Sequence, residues 1–268
     1  MLSFNNIKKV LFLIALAWSS FSSAELKPSC LQLLKSLASA PKESIGLFEG
    51  ITELRPTQFD YGLPRVRYIQ EKIKGMDFLD VQLYLDEHPI PVVLGPKSDR
   101  FMVDRHNTLR GLAESQEHLL EKFGDKAHDL KIRLVVIEDK SSLSEDEFFR
   151  QMFAESLLYP YRKDQLMNFS EIPKQVLDLK KDYFRGMAWL LKKAGIIGAN
   201  TIPFSDFMWA TKLREINRAD DTIWSKSEVR SHLENFVENY DKFNNLPGYT
   251  GETPSVDEAM KVIDQYLI

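Results

Sequence analysis

The sequence predicts an α+β chain, a small mixed sheet with helices followed by a mainly helical C-terminal half. Three observations predict it. Short apolar runs of strand length, Pro91–Leu94, Arg100–Val103 and Lys131–Ile137, are confined to the middle of the chain. Between them lie stretches with apolar residues at helical spacing, such as Val66, Ile69 and Ile73. From Ser144 onward one helix start follows another and strand runs cease.

The elements follow in order. Lys8 and Lys9 precede an apolar run from Val10 to Trp18, too short to span a bilayer, and Ser22, Ser23 and Ala24 supply a small-residue cleavage site. Residues 1–24 therefore read as a signal peptide cleaved after Ala24, which implies a periplasmic or secreted protein; no later stretch is apolar and long enough to be an integral membrane segment. Residues 25–50 form a helical lead, with Leu31, Leu34, Leu37 and Ala38 at helical spacing. Residues 51–140 form the mixed domain. Ile51–Leu54 is a short edge strand, Arg55-Pro56 a turn, 66–74 a helix and 76–84 ambiguous; Pro91–Leu94 and Arg100–Val103 pair as a hairpin, and a helix follows with Asp104 as N-cap and Leu109, Leu112 and Ala113 inward. Residues 141–268 are the helical region. It opens at Ser144 with acids in its first turn and Phe148, Met152, Phe153 and Leu157 inward, then continues through 182–194, 204–216, 227–240 and 255–267.

Charge and cysteine usage bound the function. The segment to be removed carries two lysines and no acid, so the formal charge goes from −4 to −6. An acidic protein lacks the global field that drives nonspecific nucleic-acid binding, so any such contact is local. Cys30 is the single cysteine, which excludes an internal disulfide. The histidines, at 88, 106, 118, 128 and 232, show no paired ligand spacing, and no phosphate loop, nucleophile elbow or dinucleotide fingerprint occurs.

One constellation stands out. Asp104, His106, Asn107 and Arg110 crowd a helix start, where unpaired N–H groups and the positive dipole end favour an anion. Spacings of three and four put His106, Asn107 and Arg110 on one face, opposite the apolar stripe. A histidine there can exchange protons near neutral pH, and an arginine can grip phosphate oxygens. Asp104 serves as N-cap, or orients His106, or holds a divalent cation such as Mg²⁺. The charged hairpin tip, Lys97, Asp99 and Arg100, reads as solvated.

Four segments in order carry a resemblance. Leu54–Gly62 with its Arg-Pro-Thr-Gln, Pro91–Pro96 followed by Phe101–Asn107, Asp182–Trp189, and Pro203–Ala210 resemble the ParB/sulfiredoxin superfamily, and within it the ParB-like nuclease family; Leu246–Tyr249 is a further likeness. The resemblance covers about 50–250. It implies a ParB/sulfiredoxin-like fold whose central motif opens a helix beside the sheet, and a site for nucleotide phosphates or phosphoryl chemistry. It makes Asp104, His106 and Arg110 the catalytic core, with Arg55, Gln58 and Lys72 as substrate-binding walls; Arg105 and Asn107, beside that core in sequence, are taken as substrate-binding residues as well. The implied activity is that of an exported nuclease or phosphodiesterase acting on nucleic acid or nucleotide; the alternative is a noncatalytic phosphate- or nucleotide-binding protein. The chain departs from the family at Arg105, where a small residue is usual, and at Asn107, where a second histidine is usual. No cysteine precedes His106, which removes sulfiredoxin chemistry, and no arginine-rich motif or helix-turn-helix of the CTP-switched ParB proteins is present.

Overall fold

The computed structural model describes residues 42–200, 202–217 and 225–267. The expected signal peptide, Cys30 and the lead as far as residue 41 lie outside the described residues. The end of that lead is not helical: Lys42–Gly46 is strand β1, and the helix α1 that follows is Leu47–Glu53. The edge strand expected at Ile51–Leu54 is also displaced. Leu47 and Ile51, four apart and both buried, form a helical stripe, and strand β2 begins only at Leu54 and ends at Pro56.

Then come β3 (Asp60–Tyr61), α2 (Leu63–Lys74), α3 (Phe78–Glu87), β4 (Ile90–Leu94), β5 (Arg100–Met102), α4 (His106–Glu114), α5 (Gln116–Phe123) and β6 (Lys131–Asp139). Pro64 sits in the first turn of α2, where its missing N–H costs nothing. The ambiguous stretch 76–84 becomes helical because Asp77 caps α3, accepting from the Asp80 N–H at 2.9 Å. The sheet is mixed, in the order β1-β6-β4-β5-β2. The expected hairpin is present as the antiparallel β4/β5 pair, while β4/β6 and β2/β5 are parallel. Pro56 is accommodated because β2 is an edge strand. The hairpin tip is not simply solvated: Arg100 pairs with Glu43 and Glu53, and Asp99 with Arg55.

The second half contains α6 (Glu145–Ala154), a small hairpin β7 (Tyr161–Arg162) and β8 (Gln165–Leu166), β9 (Lys180–Lys181), α7 (Tyr183–Lys193), α8 (Ser205–Asn217), α9 (Lys226–Glu238) and α10 (Val256–Ile263). Serine caps begin α6, α9 and α10: Ser144 is the expected cap, Ser225 caps the helix expected from 227, and Ser255 caps the last. Phe148, Met152 and Leu157 are buried as expected, but Phe153 is exposed and Phe149 takes its place on the buried face of α6.

Two apolar clusters form. One joins the sheet to α2, α3 and α4; the other joins α7, α8, α9 and α10; and Tyr68 of α2 packs against both. Residues 40–268 make one compact unit, so 51–140 and 141–268 are two regions of it. The seam between them is tight. β3 pairs in parallel with β9, and a Cβ on Gly186 of α7 would lie 2.6 Å from the Pro64 ring of α2.

Alanine normally favours a helix interior over glycine by about 1 kcal/mol. At Gly186 the sign is expected to reverse, because a proline ring cannot swing aside; Gly186→Ala should lose about 1–3 kcal/mol. Urea unfolding checks this, and an unchanged or raised midpoint would show that the seam has slack.

Candidate functional site

Strand β5 delivers the chain to a short turn at Val103–Arg105, and α4 starts at once. Arg105 occupies the left-handed region, φ 69°, and is itself the N-cap residue of α4. Asp104 is therefore not the cap expected of it: its Oδ1 accepts from the Arg105 N–H at 2.6 Å, one residue short of the helix. The N-cap residue gives α4 no side-chain cap, so the first turn lacks the acceptor that a capping side chain supplies to its N–H groups. A non-glycine residue held at positive φ is a local strain that recurs at functional sites.

His106 and Asn107 do not form the solvent-facing surface that their spacing suggested; they are 3% and 5% exposed. His106 Nε2 accepts from the Thr57 backbone N–H at 3.1 Å, and Asn107 Oδ1 accepts from the Gly62 N–H at 2.9 Å. With Nε2 used as an acceptor, the neutral ring carries its proton on Nδ1. The pKa of His106 is lowered to about 3, first by burial and then by the Arg185 charge, with a hydrogen bond to the Met102 backbone opposing. Thr57 Oγ1 adds a bond to the Met102 carbonyl at 2.9 Å, joining the turn to β5.

The other expected residues divide into groups. Arg110 is committed elsewhere: it pairs with Glu114, donates to the Val176 carbonyl at 3.1 Å and to that of Leu177, and lies 4.8 Å over the Tyr61 ring. Among the described residues it bonds neither Asp104 nor His106. Arg55 faces the hairpin, paired with Asp99 and 4.7 Å over Phe101. Gln58 is buried, donating to the Asp60 carbonyl at 2.8 Å and accepting from Arg185.

Lys72 and Arg105 both bear on Tyr84 of α3. Lys72 Nζ sits 4.6 Å over the ring of Tyr84. Burial raises the pKa of the Tyr84 hydroxyl, while the charges of Arg65 and Arg105 and a hydrogen bond with Thr108 act against that rise. Lys72 thus packs on Tyr84, and the charges of Arg65 and Arg105 act on the same side chain; among the described residues none of the three pairs with a carboxylate. Sequence reasoning missed Arg65 and Arg185. Arg185 had a signal: a lone charge within nine consecutive buried residues of α7 requires internal partners.

Comparison with protein families matches residues 49–215 to the family described as putative ParB-like nuclease. Among solved structures, the crystal structure of protein Atu1540 from Agrobacterium tumefaciens is similar, with a TM-score of 0.61 and 26% identity over 78% of this chain and 96% of that one. A search of curated proteins gave no match.

The depressed pKa of His106 has a stability consequence. Between pH 6.5 and about 3 the unfolded chain binds a proton there that the folded chain refuses. The histidine thus makes stability fall as pH falls through that window, by up to about 1.4 kcal/mol per pH unit, and has no such effect above it. Urea unfolding at pH 7 and pH 5 should show a larger loss for the native chain than for His106→Gln. Equal losses would mean that His106 titrates normally in the fold.

Proposed function

Since the chain belongs to the ParB-like nuclease family, we propose that it binds phosphodiesters of nucleic acid or nucleotide at the start of α4 and cleaves them there. The observation that carries this reading is Lys72 packed on Tyr84, where the charges of Arg65 and Arg105 also act, near a helix start whose N-cap residue supplies no side-chain cap. Uncompensated cations near helix-start backbone donors suit phosphate oxygens, with arginine supplying a planar fork and lysine a point charge. Such a local cluster also gives a protein of negative net charge a place to hold a polyanion.

His106, neutral and engaged by Thr57, serves in this reading to hold the turn. Asp104 is exposed beside the same helix start and is the carboxylate placed to take a proton from an attacking water. Among the described residues no three His, Cys, Asp or Glu side chains assemble as a metal cage. A Mg²⁺ ion here would rest on Asp104 and on phosphate oxygens of the substrate, an ordinary arrangement for that ion, and would neutralise charge on the phosphate. Binding without turnover is the second reading, and the burial of His106 favours it.

The reading includes export, on the strength of Lys8, Lys9, the apolar run to Trp18 and the small residues before Glu25. Protein recovered from the periplasm should begin at Glu25; a cytosolic protein that retains its first residues would contradict export.

Turnover and binding of single-stranded DNA, RNA and nucleotides, with Mg²⁺ or EDTA, separate the two readings. Asp104→Asn is expected to bind like the native chain and to lose cleavage. Arg105→Ala is expected to weaken binding about tenfold, the scale of a lost charge-assisted hydrogen bond. Binding with no cleavage by native protein selects the noncatalytic reading. Affinity untouched by Arg105→Ala would remove the site from α4.

A further inference from the structure

The turn at 57–60 is held from two sides. His106 takes its Thr57 N–H from the side of the sheet. From the helical half comes Arg185, 7% exposed, whose Nη1 donates to the Asp60 carbonyl and whose Nη2 donates to Gln58 Oε1 at 3.4 Å. The guanidinium lies 4.1 Å over the Phe207 ring, which in turn stacks on Tyr159 at 3.9 Å. The Tyr159 N–H donates to the Thr57 carbonyl at 2.9 Å, so the support of Arg185 also touches the turn. Asp182 fixes the base of the lever: its Oδ1 accepts from the Arg185 N–H at 3.0 Å, and its Oδ2 accepts from Arg214 at 2.8 Å.

Gln58 Nε2 bonds the same Asp60 carbonyl that Arg185 holds, so side chain and turn form a closed set. A planar fork serves two acceptors at once, which a lysine ammonium on a flexible stem does less well. Nε is buried without a hydrogen-bond partner, so the two Nη atoms make all of its side-chain hydrogen bonds.

We propose that Arg185 is the positioning residue of the phosphate site: its fork holds the 57–60 turn and, through the Thr57 N–H on His106, fixes the direction of the α4 start. This rests on the phosphate-site reading above. Arg185 is assigned no phosphate contact, because it is 7% exposed and both of its Nη atoms already donate to protein acceptors. Its effect on binding is therefore a change of geometry, with the number of neutralised phosphates unaltered.

Salt dependence separates those two effects. With labelled single-stranded DNA as probe, Arg105→Ala in the full chain should lower the slope of log K against log salt by about 0.7 for each phosphate no longer neutralised. Arg185→Lys should weaken binding about tenfold, the scale on which supporting hydrogen bonds act, and leave the slope unchanged. A reduced slope would make Arg185 a phosphate ligand, and an unchanged affinity would make it irrelevant to the site; either overturns the proposal. Nitrogen NMR gives a readout without ligand. Arg185→Lys should shift the Thr57 amide and His106 Nε2 resonances together, and unmoved resonances would overturn the proposal even if DNA binds. If the native chain binds no DNA while those resonances shift, the phosphate-site reading has failed and the mechanical link stands. Should Arg185→Lys not fold, Gln58→Ala removes one arm of the fork and is expected to give the same pattern at smaller size; an unaltered affinity there overturns the proposal.

Discussion

Two backbone donors of the Thr57–Gly62 segment find no strand partner and are taken instead by adjacent side chains at the start of α4, the Thr57 N–H by His106 and the Gly62 N–H by Asn107. A buried N–H left unpaired costs about 1–3 kcal/mol. Without these acceptors the segment would have to turn toward water, and the chain between β2 and α2 would lose its path across the sheet. That path sets the rest. It carries Asp60 and Tyr61 to their pairing with Lys180 and Lys181, and it delivers Gly62 and Pro64 to the close approach of α7. The seam between the mixed region and the helical region is thus anchored on two acceptor atoms.

The same demand decides the electrostatics. A histidine can accept at Nε2 only when that nitrogen carries no proton, so the fold requires a neutral ring, and burial together with the nearby Arg185 charge holds it there. The charges are then distributed around this neutral centre. Asp182, Arg185 and Arg214 interlock on the helical side. On the α3 side Lys72 meets the ring of Tyr84, where the charges of Arg65 and Arg105 also act, and among the described residues none of the three pairs with a carboxylate. An arginine in the left-handed region at position 105 is strained, and it places a long cation at the mouth of an uncapped helix. A chain selected for stability alone would put glycine or asparagine there.

Much of the fold was legible in the sequence. Apolar runs located β4, β5 and β6, and the serine cap at Ser144 located α6, because those features act within a few residues of themselves. What escaped depends on distant partners. Residues 42–46 look like the end of a helix until Ile45 is set opposite Ile132 of β6. Ile51 suits a strand or a helix equally, and the spacing of Leu47 decides for helix only when both are known to be buried. At the site, periodicity identified the right segment but the wrong exposure. Spacings of three and four show that His106, Asn107 and Arg110 share a side of α4; they do not show that the turn at 57–62, 45 to 49 residues earlier, covers the first two. Arg65 and Arg185 were passed over because each belongs to a helix read chiefly for its apolar stripe.

Position 107 shows how such cover changes the meaning of a substitution. Where the family usually has a second histidine, this chain has asparagine, which read as sequence suggests a worn catalytic motif. In the fold, residues 106 and 107 do the same job on neighbouring backbone donors. An amide oxygen accepts as well as a ring nitrogen does, and it does not titrate, so the Gly62 N–H keeps its acceptor where a histidine would lose its own on protonation. Asparagine at this position preserves the mechanical role of the pair. The substitution therefore bears on catalysis only if residue 107 reaches the substrate, and at 5% exposure, with its Oδ1 already engaged by Gly62, it is placed for holding the chain rather than for touching phosphate.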